Sequence, residues 1–306
     1  MASSTNDTGD GKESEPKCTS EQMKVWEQHA GVINMPRFDY SAPSSLLRHS
    51  RSAFLVTCPI KREKSATKEL ISFLDKYFSA TKISSDIVDE NISKRRKTLI
   101  RDTNDNDSFS PSLVKLTKNG LLLLLLPDDC LLDTLSIVVD IFHRLETKTL
   151  NSPVWCHRIQ PVQATCSLNE EELRTTVIKL VSQFLEKCEK SLEEALKFAI
   201  GYNRRGLEEE KTILKDEKKR TLALLDRTKC FETVASAVKE VALNSSVDLK
   251  SPDVAIMIEL LPVGGVPLDT VLCAVSVLPR NLVIVKPRLS IKPLVIEDND
   301  KKPGKY

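Results

Sequence analysis

Glycine and histidine are scarce in this 306-residue chain, at nine and four residues, and their scarcity excludes several chemistries. A Walker-type GxxxxGK(S/T) loop and a GxGxxG turn both need clustered glycines to bring backbone close to phosphate, and neither motif occurs. Gly264 and Gly265 are followed by Val266 and Pro267, which lack the spacing and the donor-rich helix start of a phosphate cradle. His29, His49, His143 and His157 lie far apart, with no zinc-finger or zinc-deaminase spacing among them. His143 falls at the edge of a helical stripe, where a packed or surface imidazole is the ordinary reading. The eight cysteines, Cys18, Cys58, Cys130, Cys156, Cys166, Cys188, Cys230 and Cys273, include no CxxC pair and read as reduced, mostly buried small apolar residues. No constellation supplies a nucleophile, an acid/base pair or a cofactor pocket, so neither a catalytic site, a metal nor a cofactor is expected.

Long apolar runs are missing as well. The densest, Leu121–Leu126, is six residues between Gly120 and Pro127, against about 20 for a helix that spans a bilayer. It reads as a buried central strand. The amino-terminal MASSTNDTGDGKESEPK lacks the basic start and apolar stretch of a secretory signal, which makes an intracellular site the expectation. Nor is there an excess of either charge sign: 45 Lys and Arg against 43 Asp and Glu leave +2. Any affinity for nucleic acid must therefore come from local clustering. Basic residues modestly outnumber acidic ones in 195–294 and are outnumbered in 1–50.

What is present centres on Lys197–Gly206, KFAIGYNRRG. Period-two alternation puts Phe198 and Ile200 on a core face, while Ala199 and Gly201 leave room for a close neighbour on the other. The strand then delivers Tyr202, Asn203, Arg204 and Arg205 to one sheet edge, a π-face, an amide and two guanidinium forks suited to phosphate oxygens. A solvated basic loop is the competing reading of the same four residues. If both arginines project into water, they are dispensable for folding.

Residues 1–50 read as disordered or loop-rich: the first twenty lack aromatics and branched aliphatics, Thr19–Ala30 is a short helix candidate, and Gly31, Pro36 and Pro43 punctuate the rest. A first unit covers 51–166. It comprises a strand at Ala53–Cys58, a helix from Arg62 to Phe78 with Ala66, Leu70, Phe73, Leu74 and Tyr77 in register, and a weak strand candidate at Lys82–Asp89. A polar insertion at 90–111 carries KRRK (Lys94–Lys97), read as a solvated loop, a nuclear-import signal or an RNA contact. A hairpin joins Leu113–Leu116 to Leu121–Leu126 through Lys118–Gly120; a helix follows over Asp129–Glu146, and Trp155–Cys166 is extended. The order strand, helix, strand pair, helix, strand matches a ferredoxin-like α+β sandwich.

A second unit covers 167–294. Ser167 and Glu170 form an S-x-x-E capping box before a helix whose stripe is Leu173, Val177, Leu180, Val181, Phe184 and Leu185. A second helix spans Thr228–Leu243, and strands are expected at Val254–Leu261, Val271–Val277 and Asn281–Val285. The charged 206–229 connection reads as a surface helix or loop, and 295–306 as a disordered tail.

The capped helix, YNRR, the second helix, VDLKSP (Val247–Pro252) and the VAIMIELL strand, in that order, resemble a THUMP domain, an RNA-binding module of tRNA-modifying proteins. FLVTC (Phe54–Cys58) and RIQPVQATC (Arg158–Cys166) resemble the domain that accompanies it in the THUMP domain-containing protein 1 family, the tRNA N4-acetylcytidine adaptors. The resemblance covers roughly 50–294. It implies a ferredoxin-like domain followed by an α/β THUMP domain, and a strand at 271–277 where Pro267 would also allow a helix. It further implies a non-catalytic tRNA-binding adaptor that presents a D-arm cytidine of leucine and serine tRNAs to a separate RNA cytidine acetyltransferase. The expected RNA contacts are Tyr202, Asn203, Arg204 and Arg205, with Arg280, Lys286 and Arg288 joining them if the last strands fold alongside. A nuclear or nucleolar site, or the cytoplasm, and a monomer apart from the partner enzyme complete the expectation. A protein-interaction scaffold, or a general RNA-binding factor with no part in tRNA acetylation, is the alternative.

Overall fold

The computed structural model describes residues 36–90, 111–127, 132–188, 195–206, 226–264 and 271–295, with side chains of 79–90 excepted. The expected helix at 19–30, the KRRK insertion and most of the 206–229 connection lie outside these residues, as does the tail beyond 295. The chain is α+β. After a short helix α1 (Ala42–Leu46) come β1 (Ala53–Thr57), α2 (Glu63–Glu90), β2 (Ser112–Val114), β3 (Leu121–Leu125), α3 (Thr134–Glu146) and β4 (Arg158–Val162). The sheet order β2-β3-β1-β4, antiparallel throughout, is the interleaved order of a ferredoxin-like sandwich. The weak strand read at Lys82–Asp89 is helix instead, because α2 continues without interruption to Glu90.

The second half contributes β5 (Ala164–Ser167), α4 (Glu170–Lys187), β6 (Lys197–Asn203), α5 (Arg227–Val241), β7 (Ser246–Val247), β8 (Val254–Leu261) and β9 (Leu272–Pro279). Its sheet runs β5-β9-β8-β6-β7, with β6 parallel to both β7 and β8 and the other pairs antiparallel. The valine-rich run expected at 271–277 is a strand from Leu272; Pro267 lies outside the described residues. Asn281–Val285 does not extend this sheet. Residues 280–282 form a 3-10 turn, and β10 (Val283–Ile284) pairs only with β11 (Ser290–Ile291) in a separate ribbon. The capping box also shifts by two residues. Asn169 Oδ1 accepts from the Glu172 amide at 2.8 Å, while the Glu172 carboxylate accepts from the Ser167 amide at 2.9 Å. Ser167 is committed to β5 and Asn169 takes the cap, so the acid reaches past the cap residue to the Ser167 amide and the box is not closed on one residue.

The two sheets meet face to face. On one side of the first sheet Phe54, Val56, Leu122 and Leu124 pack on α2 and α3; on the other, Leu55, Leu123, Leu125 and Val162 pack on Leu261, Leu272 and Ala274 of the second. Every residue of β8 is consequently buried. Its even-numbered side chains join the core beneath α4 and α5, which includes the whole predicted stripe of α4. The odd-numbered Ala255 and Met257 pack instead with Leu282, Val283, Ile291 and Leu294. Six described cysteines are free thiols, and five are buried. Burial raises Cys58 to about 11 and Cys230 to about 12, so both remain neutral and serve as packing.

Gly201 is where the strand needs the absence of a side chain. A Cβ there would lie 2.5 Å from Met257 Sδ. Gly201→Ala should therefore destabilise by about 1–3 kcal/mol through overpacking. Equilibrium urea unfolding checks this, with Met257→Val in the same background expected to recover part of the loss.

Candidate nucleic-acid interface

The alternation of β6 splits the YNRR tip between two environments. Tyr202 follows Phe198 and Ile200 onto the helix side and is half-buried at the edge of that core. Burial pushes its phenol above the ordinary value, offset in part by the Arg204 guanidinium. That guanidinium lies 6.0 Å from the ring centroid, at the outer limit of a cation–π contact. Tyr202 therefore offers a base only part of its π-surface, with a cation alongside.

Asn203 and Arg205 project the opposite way, toward Glu259 on the neighbouring strand. Arg205 Nε and Nη2 meet the two Glu259 carboxylate oxygens at 2.5 and 3.0 Å, and Asn203 Nδ2 donates to Oε1 at 2.8 Å. Glu259 is fully buried and Arg205 is 24% exposed. The expectation of two free forks is corrected here: the charge of Arg205 neutralises an interior carboxylate. The pair also holds a turn in which Arg205 (φ 46°) and Gly206 (φ 94°) are both left-handed. A Cβ on Gly206 would come 2.7 Å from Lys118 Nζ, so the hairpin tip of the first sheet brings an ammonium group to this turn. That hairpin is docked by Thr117, whose amide donates to the Pro262 carbonyl at 2.7 Å.

The remaining predicted residues divide. Arg280 follows Pro279, which pairs with Val254 at the start of β8, whereas Asn203 pairs with Glu259 near its end. Five residues at about 3.3 Å each put roughly 17 Å between those positions, so Arg280 sits at the opposite end of the sheet from YNRR. Its amide is tied to the Asp253 carbonyl there. Lys286 is exposed on the turn between β10 and β11. Arg288, two residues on, lines a cavity together with Asn203, Arg205 and Arg158. Arg158 comes from β4, and its Nε donates to the Ile291 carbonyl at 3.2 Å. Lys118, Arg158 and Glu259 were not singled out from the sequence as parts of this site. Only the strand register reveals them, although Arg158 stands first in RIQPVQATC.

Among the described residues no group of three or more His, Cys, Asp or Glu side chains could hold a metal ion, and no helix is long and apolar enough to cross a membrane. Residues 168–263, from the start of the α4 cap to the end of β8, match the model of the THUMP domain. The chain carries a THUMP domain. No curated protein matches the chain. Among solved structures, it is similar to PH1313 from Pyrococcus horikoshii Ot3 at 11% identity, covering 74% of this chain and 55% of that one with a TM-score of 0.39. A 4-thiouridine synthetase in complex with RNA and ATP is 10% identical, over 75% of this chain and 42% of that one, with a TM-score of 0.37. TrmN from Thermus thermophilus is 13% identical, over 79% and 47%, with a TM-score of 0.30. The chain thus spans about half the length of these solved chains, and the superpositions are too loose to align site residues. Within the THUMP domain itself, YNRR occupies the end of β6 beside the end of β8.

The two arginines should respond differently to truncation. Arg205→Ala leaves the buried Glu259 carboxylate unpaired and should cost about 3–5 kcal/mol. Arg204→Ala, which leaves no interior carboxylate unpaired, should cost less than Arg205→Ala. Urea unfolding measures both, and Glu259→Gln added to Arg205→Ala should restore most of the lost stability.

Proposed function

We propose that this protein is a non-catalytic tRNA-binding adaptor that presents a D-arm cytidine of leucine and serine tRNAs to a separate RNA cytidine acetyltransferase. The observation that carries the reading is the THUMP domain at 168–263, whose β6 ends in Tyr202 and Asn203, followed by Arg204, with Arg288 brought alongside Asn203. The resemblance of FLVTC and RIQPVQATC to the accompanying domain of the N4-acetylcytidine adaptors supports the finer part. FLVTC begins on β1, and RIQPVQATC runs through β4 into β5, the pieces that join the two sheets.

Physically, the adaptor holds RNA at a fixed distance from another enzyme's active site. The two sheets pack through an apolar interface, so the ferredoxin-like half and the THUMP half form one stiff body. Acetyl-CoA and ATP belong to the partner, and the acceptor end of the tRNA belongs to the THUMP side. The adaptor acts as a monomer apart from that partner, in the nucleus or nucleolus. A protein-interaction scaffold is the second reading, favoured by the exposure of Leu243, Val247 and Leu249 around the outer strand β7.

The test has three parts. A tRNA gel shift at two salt concentrations should show binding that weakens steeply as salt rises, which a scaffold would not show. Tyr202→Ala should weaken that binding with little change in salt slope, because loss of stacking releases no counterions. The purified chain with acetyl-CoA, ATP and tRNA should form no N4-acetylcytidine by nucleoside analysis, whereas deletion of the protein from cells should deplete it from small RNA. Turnover by the pure chain, or undiminished N4-acetylcytidine after deletion, would overturn the adaptor reading.

A further inference from the structure

The cavity bounded by Arg158, Asn203, Arg205 and Arg288 has a volume of about 250 Å³ and is walled by the β10–β11 ribbon. Three arginines line it, and one is already paired. Glu259 takes both forks of Arg205, which fixes that side chain as a wall. Arg158 is oriented by its Nε bond to Ile291, which leaves its terminal nitrogens for another acceptor. Among the described residues no carboxylate forms an ion pair with Arg158 or Arg288. The cavity therefore keeps two uncompensated positive charges beside one neutralised pair.

One further feature suits a ribose phosphate. A carboxylate only accepts, so the Asn203 amide must turn Nδ2 toward Glu259 and its Oδ1 away, free to accept a hydroxyl.

We propose that this cavity is a phosphate subsite in which Arg158 of the ferredoxin-like half and Arg288 of the carboxyl-terminal ribbon grip one phosphate of the bound RNA, while Asn203 Oδ1 accepts the adjoining 2′-hydroxyl. The inference rests on the RNA-binding reading above. It adds that the ferredoxin-like half is itself a ligand-contacting part, and that Arg205 is a positioning residue here.

The experiment measures tRNA binding by the full chain across a salt series and follows the arginine Nε–H NMR signals during titration with AMP and with inorganic phosphate. Arg158→Gln and Arg288→Gln should each lower the log–log salt slope by about one, and the pair by about two, and Arg288→Gln, on an exposed residue, should leave the thermal midpoint unchanged. Arg158→Lys with Arg288→Lys, which keeps the charges, should retain the slope. Asn203→Ala, which removes the acceptor, should narrow the preference for an RNA oligonucleotide over the DNA of the same sequence. If the double Gln variant keeps the wild-type slope while Tyr202→Ala still weakens binding, the RNA-binding reading stands and the subsite is overturned. If the wild type binds no tRNA, that reading fails. AMP-induced shifts of the Arg158 and Arg288 signals would then keep the phosphate site with a free nucleotide as its source, shifts with inorganic phosphate alone would reduce it to an adventitious ion only, and no shifts would remove it.

Discussion

The structure depends on one constraint: the central strand of the second sheet has no open face. β8 is buried along its full length, by the α4/α5 layer on one side and by the first sheet and carboxyl-terminal segment on the other. Strands buried on both faces read as continuous apolar runs, and VAIMIELL has one polar member, Glu259. A ligand cannot lie across such a sheet; it can only reach the strand ends and the loops leaving them. That is why the polar residues of β6 stand at its two ends, Lys197 at the start and Tyr202 and Asn203 before the turn that follows.

The buried carboxylate follows from the same constraint. An isolated charge in an interior is too costly to keep, so Glu259 persists because Arg205 and Asn203 supply three donors to it. The arrangement accompanies the left-handed turn at Arg205 and Gly206 that ends the strand.

Much of the fold was legible because its elements are periodic. The α4 stripe, the KFAIG alternation with its close-approach glycine and the β2–β3 hairpin all appear where local pattern puts them. The site was legible only in part. That YNRR closes a strand is a local fact, but the partner of Arg205 lies 54 residues away, and no local pattern distinguishes a solvated arginine from one pairing with an interior acid. Arg280 was misplaced because an antiparallel neighbour carries its carboxyl-terminal end to the far edge, and that depends on strand direction. The strand read at 82–89 and the cap at Ser167 went astray for a related reason. Helix continuation and strand commitment are decided by what each segment packs against, and propensity is a weak guide to that.

The passage from one sheet to the other takes a single residue. Gln163 separates β4 from β5; its amide donates to the Val275 carbonyl at 3.1 Å, and its side-chain oxygen accepts from the Val277 amide at 2.6 Å. Ala164, Thr165 and Cys166, which close the first unit in the sequence reading, thus pair into the second sheet. A protease finds no linker there, and a fragment starting at Ser167 would lose most of an edge strand and uncover Leu261, Leu272 and Ala274. The THUMP module in this chain therefore shares its edge strand and part of its core with the sandwich before it, and the two are separable in name more readily than in solution.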